Sequence, residues 1–280
     1  MSTETHDSQS LAEKRMAAAT SWWQTSIVDI KPGVINYNGY PVEQLIGKIG
    51  FVDMVWLMLR GELPSAWQAK LLEAAMVAAV DHGPQAPSIS IARMAATCGV
   101  GINNAMASGI NALGDVHGGA GQQCLQMYER LITEGAADDQ GKMEASLRAI
   151  LAENPRISGF GHRFHPVDPR KTPLLDLIAE AVAAGAVEGR FLKAALGVEE
   201  ALQDIKGKLI PMNIDGATAA IYGELGFDGE EARGLFILSR SVGILSHARE
   251  QMRQGGRIKG PMPPAIPYTY TGQPRRDLEK

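Results

Sequence analysis

The chain carries a relay of short motifs centred on histidine, carboxylate or arginine: Asp81-His82-Gly83, Gly114-Asp115-Val116-His117-Gly118-Gly119, Gly159-Phe160-Gly161-His162-Arg163, Asp168-Pro169-Arg170, Asn213-Ile214-Asp215-Gly216 and Ser239-Arg240-Ser241. Three histidines, an aspartate in apolar surroundings and two arginines are the groups needed to enolise a thioester and hold a polycarboxylate. His117, between Gly114-Asp115 and Gly118-Gly119, is expected to open a helix whose backbone a ligand can approach closely. The positive end of a helix dipole lowers an imidazole pKa and favours a neutral hydrogen-bond donor; a histidine that only caps the helix is the other reading. Asp215 has apolar or small neighbours, and no basic residue lies closer than Lys208. Such a carboxylate either caps the alanine-rich helix that follows or removes a carbon-bound proton, with desolvation raising its basicity.

Ser158-Gly159-Phe160-Gly161-His162-Arg163, followed by Asp168-Pro169-Arg170, gathers backbone donors, two arginines and a histidine into an anion site by composition. It lacks the lysine and hydroxyl residue of a nucleotide-hydrolase phosphate loop, and no strand precedes it as a dinucleotide fingerprint requires. His162 and His165, with His117, imitate a metal trio, but Arg163 between them repels a cation, so no metal is expected. Arg240 lies in the nearly uncharged stretch Leu235 to Leu245, and a buried guanidinium needs an internal carboxylate or a bound anion to answer it. His247, about two turns on, reads as structural.

The elements that must position these residues are nearly all helical. Alternation is confined to Thr25 to Asp29 and Val34 to Tyr37, joined by Ile30-Lys31-Pro32-Gly33, which predicts a short N-terminal β-hairpin. Helical spacing follows at Pro41 to Ile46, Phe51 to Leu59 with Gly61 as the stop, and Ser65 to Val80. It recurs at His117 to Ile132, Lys142 to Leu151, Pro173 to Ala184, Gly189 to Ile205, Ala217 to Leu225 and Gly229 to Met252, so the fold class is all-α. Ser88 to Leu113, rich in Ala, Gly, Met and Ile, predicts a helix apolar nearly all round, central or at a subunit interface. The tail from Gly255 holds five prolines between Pro261 and Pro274 and cannot be regular helix.

With 280 residues, 45% of them hydrophobic, the chain can bury a large core. A net charge of −4, with no Lys/Arg run longer than a pair, gives nucleic-acid binding little electrostatic support. The apolar stretches fall short of the roughly 20 residues a membrane helix needs. No signal or transit pattern is present in Met1 to Lys14, so a cytoplasmic location is expected. Cys98 and Cys124 read as reduced core residues.

Taken together, these residues resemble the citrate synthase superfamily. The likeness runs from Ser26 to Asp29 and Val34 to Leu45 through Leu59-Arg60-Gly61-Glu62-Leu63-Pro64, the histidine motifs and Tyr270-Thr271-Gly272. Asp81-His82-Gly83-Pro84, Gly114-Asp115, Asn213 to Gly216 and Leu238 to Gly243 are similar to the citryl-CoA lyase module of ATP-citrate lyase. The resemblance implies a large helical domain over 1–119 and 228–280, and a small one over 120–227 that closes over ligands. It implies catalytic roles for Asp215, which would move the acetyl proton, His117, which would steady the enol oxygen, and His162, which would polarise the oxo-acid carbonyl. His82, Arg170 and Arg240 would hold carboxylates, and Gly159, Phe160, Gly161 and Arg163 would lie against coenzyme A. The implied activity is cleavage of citryl-CoA to acetyl-CoA and oxaloacetate, with a condensing citrate or 2-methylcitrate synthase and a non-catalytic acyl-CoA-binding subunit as the alternatives. A coenzyme A thioester (acetyl-CoA or citryl-CoA) and an oxo acid are the small-molecule partners, a homodimer the assembly, and a separate citryl-CoA-forming ligase the source of substrate. The family's C-terminal arginine has no direct counterpart in Gly260 to Pro267, where only Arg257 or Lys259 is near.

Overall fold

The structure is a computed structural model that describes residues 4–162, 165–263 and 265–278, with side chains from residue 11 onward. The chain divides into two compact units, Met1–Glu73 and Ala74–Lys280.

In the first unit, α1 (Glu4–Trp22) precedes three antiparallel strands, β1 (Val28–Lys31), β2 (Val34–Tyr37) and β3 (Tyr40–Pro41), then α2 (Val42–Leu45) and α3 (Phe51–Arg60). The pairing Lys31↔Val34 leaves only Pro32-Gly33 in the turn, so Ile30 and Lys31 belong to the strand rather than to the expected four-residue turn. The third strand was not expected from alternation; its signal is Asn38-Gly39, both at positive φ, the residue pair that a tight two-residue hairpin turn demands. Gly61 ends α3 in the left-handed conformation, as the sequence predicts. Helix α1, for which no periodicity argues, is exposed on every face from Leu11 to Trp22.

The unit boundary falls within α4 (Ala66–Ala79). The second unit continues with α5 (Pro87–Thr97), α6 (Ile102–Ile110), α7 (Ala120–Thr133), a 3₁₀ turn (Ala136–Asp138), α8 (Gln140–Glu153), α9 (Lys171–Ala183), α10 (Arg190–Lys206), α11 (Ile214–Glu224) and α12 (Gly229–Gln254). Twelve α-helices and one small sheet among the described residues agree with the all-α class expected from sequence. Helices α5, α6 and α12 pack around Ile89, Ala92, Ala105, Ile244 and Ala248. Helix α11 is enclosed by α7, α9 and α10, and every residue from Gly216 to Gly223 is buried.

Two expectations are corrected here. The Ser88 to Leu113 stretch is two helices broken at 98–101, and α6 buries only Ala105 and Gly109; the helix wrapped on all sides is α11. Within the single chain, small side chains there serve one close-packed face of each helix. Cys124 is buried, but Cys98, at the end of α5, is exposed; both are free thiols.

Candidate active site

The last carbonyls of a helix have no intrahelical partner and carry its partial negative charge. At the end of α4 three of them are taken by residues distant in sequence. Ser239 Oγ donates to Met76 O, Arg170 Nη1 to Ala78 O at 3.3 Å and Arg240 Nε to Ala79 O at 3.1 Å. The helix end thus holds two guanidinium groups, one from the start of α9 and one from α12. Arg240 is 5% exposed and stacks on Phe236, 4.9 Å from the ring centroid. Burial lowers its pKa, opposed by the charges of Asp215 and Asp81. Among the described residues its terminal nitrogens carry no hydrogen bond, and a guanidinium fork of this kind can take an anion.

His117 lies in a tight turn three residues before α7 begins, not at the first turn of the helix as the sequence led us to expect. The reason is Gly114 N, which bonds His117 O and closes the turn ahead of the helix. The ring reaches instead to the start of α5, where Nε2 stands 3.1 Å from the amide of Ser88 and 3.0 Å from its hydroxyl. A backbone N–H can only donate, so Nε2 is the acceptor and the proton resides on Nδ1. Burial first, and then Arg240, lowers the ring's pKa. The lowered pKa has the expected direction, with burial and Arg240 as its causes.

His162 is neutral in the opposite sense. The amide of His165 donates to its Nδ1 at 2.9 Å, leaving the proton on Nε2. Burial lowers its pKa, as do His165 and Arg170. The His82 ring stacks on it, 5.4 Å between centroids at 24°, and is held uncharged by burial, Arg170 and Arg240. Among the described residues no group of three or more His, Cys, Asp or Glu is arranged to hold a metal.

The capping task that the sequence left open for Asp215 is taken by Asn213. Asn213 Oδ1 accepts from the amides of Asp215, at 2.9 Å, and Gly216, at 3.4 Å, so the cap is supplied one residue before α11. Asp215 is freed, half-buried, and its pKa is raised by burial against the pull of Arg240 and Arg170. Asp168, 1% exposed, does the opposite work. It accepts from Arg170 Nε at 2.9 Å, Arg170 Nη2 at 2.8 Å and the Ile214 amide at 3.1 Å. Although burial alone would push its carboxyl up, these donors hold it down at about 2. Asp168 therefore orients Arg170 and the start of α11 together.

The loop before His162 pairs with the strand-like residues ahead of α11. Gly161 N bonds Pro211 O at 2.7 Å, Asn213 N bonds Gly159 O at 2.9 Å, and Asn213 Nδ2 donates to Gly161 O at 2.6 Å. Gly216 is indispensable to this approach, since a Cβ there would stand 2.5 Å from Gly159 O. Glu199, bound to Lys171, also accepts from Met212 N at 2.7 Å. A cavity of about 550 Å³ adjoins the loop, lined by Gln123, Arg156, Gly159, Phe160, Lys206 and Asn213 among others. Arg163 lies outside the described residues.

The structure thus brings His82, His117, His162 and Asp215 each within electrostatic range of Arg170, Arg240 or both. Sequence reasoning did not single out Ser88, Asn213, Asp168 or Glu199 as working parts. Asp168 and Asn213 sit inside motifs already noticed, and the Asn-x-Asp spacing at a helix start is a capping signal. Nothing near Ser88 or Glu199 in sequence marks them.

The family model for the C-terminal domain of citrate synthase matches residues 65–262. The citryl-CoA lyase structure from Hydrogenobacter thermophilus is 31% identical, covering 92% of this chain and 97% of that one, with a TM-score of 0.80. The ATP citrate lyase structure from Methanothrix soehngenii, in complex with citrate and coenzyme A, has a TM-score of 0.74 at 24% identity and covers 92% of this chain and 44% of that one. ATP-citrate synthase subunit 1 of Sordaria macrospora is 27% identical over 249 residues, 82% of this chain; the chain spans 35% of that relative's length.

Proposed function

The chain belongs to the citrate synthase family, and from that premise we propose that it is an enzyme that cleaves citryl-CoA to acetyl-CoA and oxaloacetate. The observation that carries the reading is the start of α11, where Asn213 takes the capping task and leaves Asp215 unpaired with a raised pKa. A carboxylic acid that keeps its proton nearer neutrality can deliver it to carbon when the carbon–carbon bond breaks, and take it back in the condensing direction.

In the proposed roles, His117 Nδ1–H steadies the thioester oxygen as enolate charge develops. The hydroxyl proton of citryl-CoA passes to solvent, His162 Nε2–H stabilises the resulting alkoxide that collapses to the oxo-acid carbonyl, and the proton Asp215 gives to carbon keeps the count balanced. Fixed neutral donors of this kind need no reorganisation when charge appears. His82, Arg170 and the free fork of Arg240 meet the carboxylates, and Gly159, Phe160 and Gly161 lie against the pantetheine arm of coenzyme A. Residues 120–227 act as a small domain against 1–119 and 228–280, and closing it excludes water from the enolate. The enzyme works as a homodimer in the cytoplasm, and a separate ligase supplies citryl-CoA.

The test is to give the purified protein citryl-CoA and separate the products by chromatography, with Asp215→Ala as control. Acetyl-CoA and oxaloacetate, lost in the variant, are expected. Free CoA and citrate would identify a condensing synthase that hydrolyses the thioester, and no turnover would overturn the proposed substrate.

A further inference from the structure

Arg93 on α5 and His247 on α12 have no place in the roles above, yet Arg93 holds His247 and His247 reaches the loop that carries His82. Arg93 Nη1 stands 3.2 Å from His247 Nδ1 and 2.5 Å from Glu250 Oε2, and Nη2 donates to Gln254 Oε1 at 2.9 Å. A guanidinium has donors only, so His247 Nδ1 presents its lone pair and the proton sits on Nε2. That Nε2 lies 3.2 Å from Asp81 Oδ2. The same Asp81 oxygen accepts from the amide of Gly83 at 3.2 Å. The residues on either side of His82 are therefore tied to one carboxylate, and that carboxylate is tied to α12.

The sequence of α12 is shaped for this contact. Gly243, one helical turn before His247, is buried where the loop arrives, and a Cβ there would strike Val80 O and sit 3.1 Å from Asp81 Oδ1. Both polar side chains are largely removed from solvent, His247 and Arg93 being 18% exposed each. The loop they hold presents His82 against His162.

We propose that His247, kept as its Nε2–H tautomer by Arg93, is a positioning residue that fixes Asp81 and thereby sets His82 for a substrate carboxylate. This rests on the reading of His82 as a carboxylate-holding residue in an acyl-CoA lyase. A group acting on bound substrate and transition state alike changes KM and leaves kcat, whereas general disruption lowers both. Glutamine at 247 retains an acceptor for Arg93 and a donor for Asp81; leucine retains the bulk and neither.

The experiment compares His247→Gln and His247→Leu with the wild-type chain in three measurements: citryl-CoA cleavage, thermal melting, and the ring resonances of His82 in ligand-free protein by NMR. For His247→Leu, the expected result is a KM for citryl-CoA raised about tenfold with kcat within about twofold, a displacement cost of the kind remote positioning residues carry. The His82 resonances shift in this variant, and His247→Gln returns both readouts towards wild type. Equal losses in the two variants, a fall in kcat at constant KM, or an unmoved His82 in His247→Leu would overturn the proposal. If wild-type protein fails to cleave citryl-CoA, the lyase reading fails alone, and the His82 resonances still decide the positioning role. Should His247→Leu not fold, His247→Phe keeps the ring's bulk without either nitrogen and carries the same comparison.

Discussion

His117 and His162 both have a lowered pKa and a main-chain amide on one ring nitrogen, and the two nitrogens are opposite. His117 gives up Nε2 to the Ser88 amide and carries its proton on Nδ1; His162 gives up Nδ1 to the His165 amide and carries its proton on Nε2. In each case a main-chain N–H, which cannot reverse its role, selects the tautomer. The difference lies in reach. One partner is three residues away and the other 29, so one donor is set by its own loop and the other by the packing of α5 against the His117 turn. Two donors fixed by independent backbones can be aimed at two substrate oxygens without competing for a proton.

Amide side chains break the comparison most directly, because asparagine places an N–H near the Nδ1 position and glutamine near Nε2. Removing the donor outright, as in His117→Ala, is expected to lower kcat for citryl-CoA about 10²–10³-fold, the effect of losing one donor to a developing oxyanion. His117→Asn and His162→Gln are expected to recover a part of that loss, and His117→Gln and His162→Asn none. Steady-state rates for the four variants decide it, and equal rates for matched and mismatched amides would refute the tautomer assignment.

On the His162 side, the ordering of Arg170 and α11 depends on Asp168. Its carboxyl is held below the ordinary value, so this stability is present above about pH 4, the unfolded carboxylate range, and is lost as pH falls towards about 2. Asp168→Asn is expected to lower unfolding stability at pH 7 by about 2 kcal/mol and to flatten the acid limb of the stability curve. Chemical denaturation at several pH values reads both, and an unchanged acid limb would count against the role.

Asp215 has the reverse sign. A folded-state pKa raised above the unfolded one means that charging the group costs stability as pH rises through that interval. Asp215→Asn is therefore expected to melt a few degrees above wild type at pH 8, with the gap closing as the wild-type carboxylate protonates at lower pH. A variant that melts lower at every pH would indicate a structural carboxylate. The smallest effect is expected at Ser88. Ser88→Ala removes the hydroxyl and keeps the amide, so kcat should fall by about threefold or less, the scale of one modest hydrogen bond. A loss as large as that of His117→Ala would move tautomer control from the amide to the hydroxyl.

The sequence by itself determined the helical class, the stop at Gly61, most helix limits and the residue types that meet in the site, because periodicity, glycine stops and short motifs are local properties of the chain. It did not locate the third strand or α1, whose residues carry no apolar period, and it left capping and chemistry both open for Asp215. The tautomer of His117, the perch of Arg170 and Arg240 on the α4 carbonyls and the tie from His247 to Asp81 belong to tertiary structure alone. The cap at Asn213 is local and could have been read from the Asn-x-Asp spacing, but the other three join groups dozens of residues apart or more, and a hydrogen-bond partner or a neighbouring charge becomes specific only when packing has closed that distance.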